Sequence, residues 1–531
     1  MPSAHVDSFV RDRLPPPEAQ PEFLFDRPEL QYPERLNAAV ELIGGAPSEA
    51  VAVVNDAAAW TYGEMRDLSD RIARLLVEEE GLVPGNRVLL RGQNGAMLFA
   101  AWLGVLKAGG ILVTTMPILR AGEIATLLER AQVHHAIVDE RCLVDFLAAA
   151  DETALVRSLL VYRGDAGGGP LETRLQGVEP GFTPVDTHRD DISMIAFTSG
   201  TTGKPKGCVH YHRDILASAD SFARHVLKPA PGERWACSAP IAFTFGLGML
   251  LTFPWRFGGT AVTIEQPGPK ALLTAVSRHR VNRLATAPTA YKAMLPLLTE
   301  HDVSSLTACV SAGEHLPAAI WHAWQAATGI EIVDGIGATE MMHVFISAAG
   351  GDIRPGATGK AVPGYRACVL DEDGAPLPHG TGGLAVKGPT GCRYFDDERQ
   401  RDYVVDGWNV TGDTYRQDED GYFWYVARSD DMIISAGYNI AAPEVENALL
   451  AHQAVQECAV VGAPCEERGR KVKAFVVSAP GFEPGPDLVR ILQEHVKAAI
   501  APYKYPREIA FVEALPKTAT GKLQRFHLRA G

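Results

Sequence analysis

The sequence has little cysteine, no surplus of positive charge and almost no uninterrupted apolar run. Its eight cysteines are spread over 531 residues with no Cys-x-x-Cys spacing. That argues against a disulfide framework or a zinc site and fits a reducing compartment. Acidic residues outnumber basic ones 64 to 50, for a formal net charge of −14. Such a balance counts against a nucleic-acid partner bound by phosphate neutralisation. The N-terminus runs through Asp7, Arg11, Asp12 and Arg13 into Pro15-Pro16-Pro17 without the apolar segment of a secretory signal, so a cytoplasmic location is expected. Only Trp235 to Trp255 is long and free of charge, and Pro240, Gly246, Gly248 and Pro254 break it. A strand, a tight turn and a buried helix beside a pocket account for it better than a membrane span.

What is present is a chain long enough for several packing units. Residues 1 to about 35 read as a proline-rich, polar lead-in. Thr61-Tyr62-Gly63-Glu64 has the pattern of a capping box opening an amphipathic helix. Arg87 to Leu90 reads as a strand, Ala96 to Lys107 as a helix and Gly110 to Thr115 as a strand, and the alternation recurs between Ala236 and Val333. The expected class is therefore α/β, with parallel-rich sheets and flanking helices. From Gly364 short strands separated by Gly, Pro and Asp predict a small β subdomain over about 364–429. After Arg428 a new α/β pattern begins, which divides the chain into a large domain, 1–429, and a small one, 430–531.

The most telling stretch is Thr198-Ser199-Gly200-Thr201-Thr202-Gly203-Lys204-Pro205-Lys206-Gly207, rich in glycine and hydroxyls with no acidic side chain. It follows an apolar strand from Ile192, where bare N–H groups and hydroxyls can converge on phosphate. It is no Walker loop: Gly200 and Gly203 are too close, and Pro205 follows Lys204. The stretch resembles the phosphate-binding signature of the adenylate-forming superfamily of acyl-CoA synthetases, peptide-synthetase adenylation domains and luciferases. Four more elements resemble that family in its own order: Gly337-Ala338-Thr339-Glu340, Thr411-Gly412-Asp413, Arg428-Ser429-Asp430-Asp431 and Pro516-Lys517-Thr518-Ala519-Thr520-Gly521-Lys522.

The resemblance implies ATP, Mg²⁺ and coenzyme A as cofactors and assigns roles. Thr198, Ser199, Gly200, Thr201, Thr202, Gly203 and Lys206 would hold the phosphates, with Thr201 and Glu340 on Mg²⁺. Asp334, Gly335 and Ile336 would border the nucleotide, and Asp413 and Arg428 would take the ribose. Lys522, Glu340 and Thr339 would be catalytic. Asp430 would be the hinge of a mobile small domain, and Gly437 would let the pantetheine arm pass close to the backbone. Three positions depart from the family pattern: Ile336 stands where many relatives have tyrosine, Ile434 where many have lysine and Phe243 where many have histidine.

The acid pocket is expected from Phe243, Thr244, Phe245, Gly246, Ala312, Gly313, Gly337 and His343. Two phenylalanines beside glycines make a short flat slot for a ring rather than a long chain. These segments resemble benzoate-CoA ligases, and Thr115 to Ala121 looks closest to 2-aminobenzoate-CoA ligases. The implied activity is an aryl-CoA ligase working through an aryl-adenylate, with no nucleic-acid or membrane partner, as monomer or homodimer. The alternative is an adenylation enzyme that loads an aryl acid onto a separate carrier protein.

Overall fold

The structure is a computed structural model that describes residues 3–164, 167–198, 205–316, 318–371, 373–428, 432–516 and 528–529. A six-stranded sheet runs in the order Ser158–Tyr162, His135–Asp139, Arg87–Arg91, Ile111–Thr115, Ile192–Thr198, Lys206–Tyr211. Its first five strands are parallel and the last pairs antiparallel with its neighbour. A nine-stranded sheet has a parallel centre built from Val51–Val54, Thr260–Val262, Arg234–Cys237, Arg283–Thr286, Ala308–Ser311 and Ile332–Gly337. Antiparallel strands close both of its edges.

Helix Ala96–Lys107 is apolar on all sides and every one of its residues is buried, as expected for a helix packed inside a layered core. Its terminal Lys107 is compensated by Asp70 at 2.6 Å. The neighbouring helix Tyr62–Arg74 begins at the predicted box, Thr61 and Glu64 each capping the other's backbone. The charge-free stretch resolves into strand Arg234–Cys237, helix Thr244–Leu247 and a wide helical turn, Gly248–Thr252. No helix among the described residues is long and apolar enough to cross a membrane.

The lead-in differs in character from its composition. Its prolines start two short 3₁₀ turns, Pro17–Ala19 and Pro28–Leu30, and Val10, Leu24 and Leu30 are buried. Widely spaced apolar anchors lay the segment on the large domain, where Asp7 pairs with Arg87. Residues 366–428 form the antiparallel β unit, with strands Arg366–Leu370, Gly380–Lys387, Trp408–Gln417 and Phe423–Arg428.

Beyond it, a hairpin of Met432–Ser435 and Tyr438–Ala441 turns at Ala436 and Gly437, both with positive φ (49° and 80°). Strands Val455–Cys465, Gly469–Ser478 and Glu508–Phe511 then carry helices Ala442–Leu450 and Pro486–Ala499 around a separate core.

Candidate active site

The hairpin of the first sheet ends on the pair Thr198 and Lys206, so the glycine-hydroxyl loop connects two strands at the sheet edge. Ser199, Gly200, Thr201, Thr202 and Gly203 lie outside the described residues. The Lys206 ammonium donates to the Tyr394 hydroxyl at 2.7 Å, and that hydroxyl donates to Glu340 Oε1 at 2.5 Å. Lys206 also lies 3.8 Å from the carboxylate. Glu340 is 7% exposed, and a polar group buried to that extent is costly without such hydrogen-bond partners. Tyr394 is delivered by a backbone bridge to Cys208 on the edge strand. Glu340 is a hard oxygen donor beside the Thr198–Lys206 hairpin end, with one oxygen engaged by Tyr394, so the donor chemistry fits Mg²⁺.

Thr339 is held from behind. Its carbonyl accepts from His210 Nε2 at 2.8 Å, while His210 Nδ1 lies 3.7 Å from Asp214, which pairs with Arg393 at 2.7 Å. Burial works against the Asp214 carboxylate, but Arg393 and His210 hold its pKa well below the ordinary range. Sequence reasoning missed Tyr394 and His210; each is a single residue brought in by strand pairing, with no motif around it.

Asp413 is 8% exposed and is the direct cross-strand partner of Arg428, which puts the two residues of the predicted ribose site side by side in the β unit. Asp334, Gly335 and Ile336 lie on the strand Ile332–Gly337. Gly335 leaves room for Val344, which a Cβ there would meet at 2.7 Å, and Ile336 packs on the core. Among the described residues Asp334 Oδ1 is buried with no hydrogen-bond partner. Burial pushes its carboxyl pKa up to about 8, against weaker pulls from the Gly335 N–H and the Ser311 hydroxyl.

In the segment expected to bind the acid, Phe243 precedes the short helix that carries Thr244, Phe245 and Gly246. Only glycine fits at 246, where a Cβ would meet the Pro240 carbonyl oxygen at 2.2 Å. The two phenylalanines do different work. Phe243 lines the cavity described below, whereas Phe245 packs on the core with its ring 5.7 Å from the His343 ring.

His343 is 3% exposed and sits among Phe222, at 5.5 Å, and Phe253, at 4.5 Å. Its Nε2 makes a long hydrogen bond, 3.4 Å, to the Phe245 carbonyl. A carbonyl only accepts, so Nε2 carries the proton and Nδ1 keeps a lone pair. That Nδ1 is buried and, among the described residues, unpartnered. Burial lowers the pKa to about 3, which keeps the ring neutral. Gly248 makes the seat possible, since a Cβ there would stand 2.3 Å from the imidazole.

One cavity of about 720 Å³ gathers Thr198, Lys206, Phe243, Gly337, Thr339, Glu340 and Asp413 on its wall. Phe245, His343, Asp334, Ala312 and Gly313 are not among its lining residues. The small domain closes it with Glu444, Tyr503 and Lys504. Gly437 reaches the large domain at Gly313, its carbonyl oxygen 3.8 Å from where a Gly313 Cβ would stand. Lys522 and Asp430 lie outside the described residues, and of Arg428 only the backbone is placed. A second cavity, about 730 Å³, opens at Asn94, Asp139, Arg141 and Lys270 and is lined by none of the motif residues.

Residues 43–394 match the AMP-binding enzyme family, and residues 444–522 match the AMP-binding enzyme C-terminal domain. A benzoate–CoA ligase of Thauera aromatica is 38% identical over 95% of this chain and 97% of its own length. A solved anthranilate CoA ligase, AuaEII, in complex with anthranoyl-AMP is 34% identical, with TM-score 0.73 over 95% of this chain and 98% of that one. A benzoate CoA ligase from Burkholderia xenovorans LB400 is 33% identical, with TM-score 0.69 over 93% of this chain and all of that one.

Proposed function

The chain belongs to the AMP-binding enzyme family, and from that premise we propose that it is an aryl-CoA ligase for benzoate or 2-aminobenzoate. A carboxylate oxygen of the acid attacks the α-phosphorus of ATP, the bond to pyrophosphate breaks, and an aroyl-adenylate forms. The sulfur of coenzyme A then attacks the carbonyl carbon after losing its proton, and AMP leaves. Neither step needs a protein nucleophile; the protein's part is positioning and charge stabilisation.

The observation that carries this reading is the convergence in one cavity of Thr198, Lys206, Glu340 and Asp413 with Phe243. In this reading the hairpin and Lys206 take the phosphates, Asp413 and Arg428 the ribose, and the elements around Phe243 the aromatic acid. Mg²⁺, held by Glu340 and Thr201, would neutralise phosphate charge. Lys522 serves the first step and the Gly437 turn the second, with residues 430–531 pivoting at Asp430 against 1–429. The aromatic preference is supported by the Phe243 ring on the cavity wall and by the similarity to benzoate and anthranilate ligases.

The test is AMP release with and without coenzyme A over benzoate, 2-aminobenzoate, octanoate and acetate. CoA-dependent AMP formation with the two aromatic acids, at several times the rate with octanoate, is expected. Octanoate outrunning both would sink the aryl assignment, and AMP release indifferent to coenzyme A would point to another acceptor.

A further inference from the structure

The small domain meets the large one at several places along a seam, among them Lys292 Nζ donating to the Glu466 carbonyl at 3.3 Å and Ala501 packed with large-domain core residues; two further contacts bear on the turn. At the turn, Gly437 lies on Gly313, and Tyr438 beside it sits edge-on to Phe243 at 6.4 Å. Tyr438 in turn stacks on Tyr503 at 4.2 Å. The next residue, Lys504, is 4% exposed, and its ammonium is held by two carboxylates from different domains. Glu444, on the small domain's own helix, is 2.5 Å away; Glu123, on helix Ala121–Ala131 of the large domain, is 2.6 Å away.

The two carboxylates are not equivalent. Glu444 travels with Lys504 whatever the small domain does, because both lie in that domain. Glu123 meets Lys504 only where the domains are closed as they are here, with the Gly437 turn delivered to the acid end. A buried ammonium that loses one hydrogen-bonded carboxylate leaves charge poorly compensated, so this contact biases the domain arrangement rather than the fold of either domain. The ring ladder Phe243, Tyr438, Tyr503 connects the ion pair to the turn, so the two contacts are set together.

We infer that Glu123 and Lys504 are positioning residues for the thioester-forming step, an ion pair across the seam that holds the Gly437 turn against Gly313 while coenzyme A attacks. This rests on the reading above, in which the small domain serves the two half-reactions in different arrangements. Adenylation, carried out with the domains apart at this contact, does not use the pair.

Glu123→Gln tests it with little disturbance, because Glu123 also caps its own helix by accepting from the Arg120 N–H at 3.0 Å, and glutamine retains that acceptor. Pyrophosphate release without coenzyme A should stay within about twofold of wild type. Transfer from preformed aroyl-adenylate to coenzyme A should fall about tenfold, in kcat more than in KM, the scale of an ordinary coupling between two states. Glu444→Gln, which leaves the cross-domain pair in place, should lower transfer less than Glu123→Gln does. Equal losses in both half-reactions, no loss in either, or a larger transfer defect in Glu444→Gln overturns the inference while wild-type turnover upholds the reading beneath it. If wild-type protein forms no aroyl-CoA from any aromatic acid tested, that reading fails and takes this one with it.

Discussion

Glu340 and His343 are three residues apart in the chain, yet their polar atoms stand in opposite condition. Glu340 already has the Tyr394 hydroxyl and a lysine 3.8 Å away. Among the described residues His343 Nδ1 has no partner, and Asp334 Oδ1, on the strand that leads into the same segment, has none either. The Glu340 carboxylate is therefore held by its own protein neighbours, and a group fixed in that way keeps the cost of reorganisation out of any reaction it serves. The interior behind the acid and nucleotide elements instead keeps buried polar atoms whose desolvation is repaid only by a ligand, or a shift of neighbours, that brings the right donor. The first arrangement favours rate; the second favours discrimination, because a ligand lacking the donor leaves the atom bare.

The contrast can be broken most severely at the organised end. Glu340→Gln keeps the size of the side chain but removes its charge, and adenylate formation should drop roughly 10²- to 10³-fold, the usual cost of one preorganised electrostatic group. Pyrophosphate release with saturating ATP measures it; a loss of only a few-fold would mean that the carboxylate is structural. At the unpaired end a smaller and selective effect is expected. His343→Leu should lower kcat/KM for 2-aminobenzoate about tenfold more than for benzoate, since an amine deprived of its acceptor costs about 1–3 kcal/mol. An unchanged ratio between the two acids would show that Nδ1 does not read the amine.

The smallest effect concerns stability. The folded pKa of Asp334, about 8, lies above its unfolded value of 3.8, so the folded protein retains a proton that the unfolded chain releases. The stability this proton confers is complete below about pH 4 and is lost as pH rises towards 8. Asp334→Asn should therefore unfold about 2–4 °C higher than wild type at pH 8 without ligand, the gain shrinking to nothing near pH 4. A thermal-melt series in which the gain does not change with pH would remove the case for a strained carboxyl there.

The sequence was legible where chemistry is written in consecutive residues. The alternation of strand and helix marked helix Ala96–Lys107, the Thr61 and Glu64 pair marked the start of its neighbour, and glycines with hydroxyls marked the loop after the strand from Ile192. It was less legible where one residue acts through distant pairing. Tyr394 reaches Glu340 because an isolated bridge ties it to Cys208, and Lys504 matters because helix Ala121–Ala131, hundreds of residues earlier, carries Glu123 to it. The antiparallel edges of both sheets were hidden for a related reason: alternation of strands and helices predicts parallel neighbours, and the closing strands follow hairpins instead. The lead-in misled by composition, its few apolar anchors outweighing its many polar residues.

Gly248 has a consequence for how this packed interior can change over generations. The imidazole of His343 occupies the space that any side chain at 248 would need, so the two positions share a single allotment of volume. A methyl at 248 evicts the ring, and a smaller residue at 343 leaves a void. Each single step is therefore harmful, while the paired exchange is far less so, and their energies should not add. A lineage repacking the interior at this point has to cross that valley or change both residues together, which makes the pair a slow-moving character in the core behind the cavity.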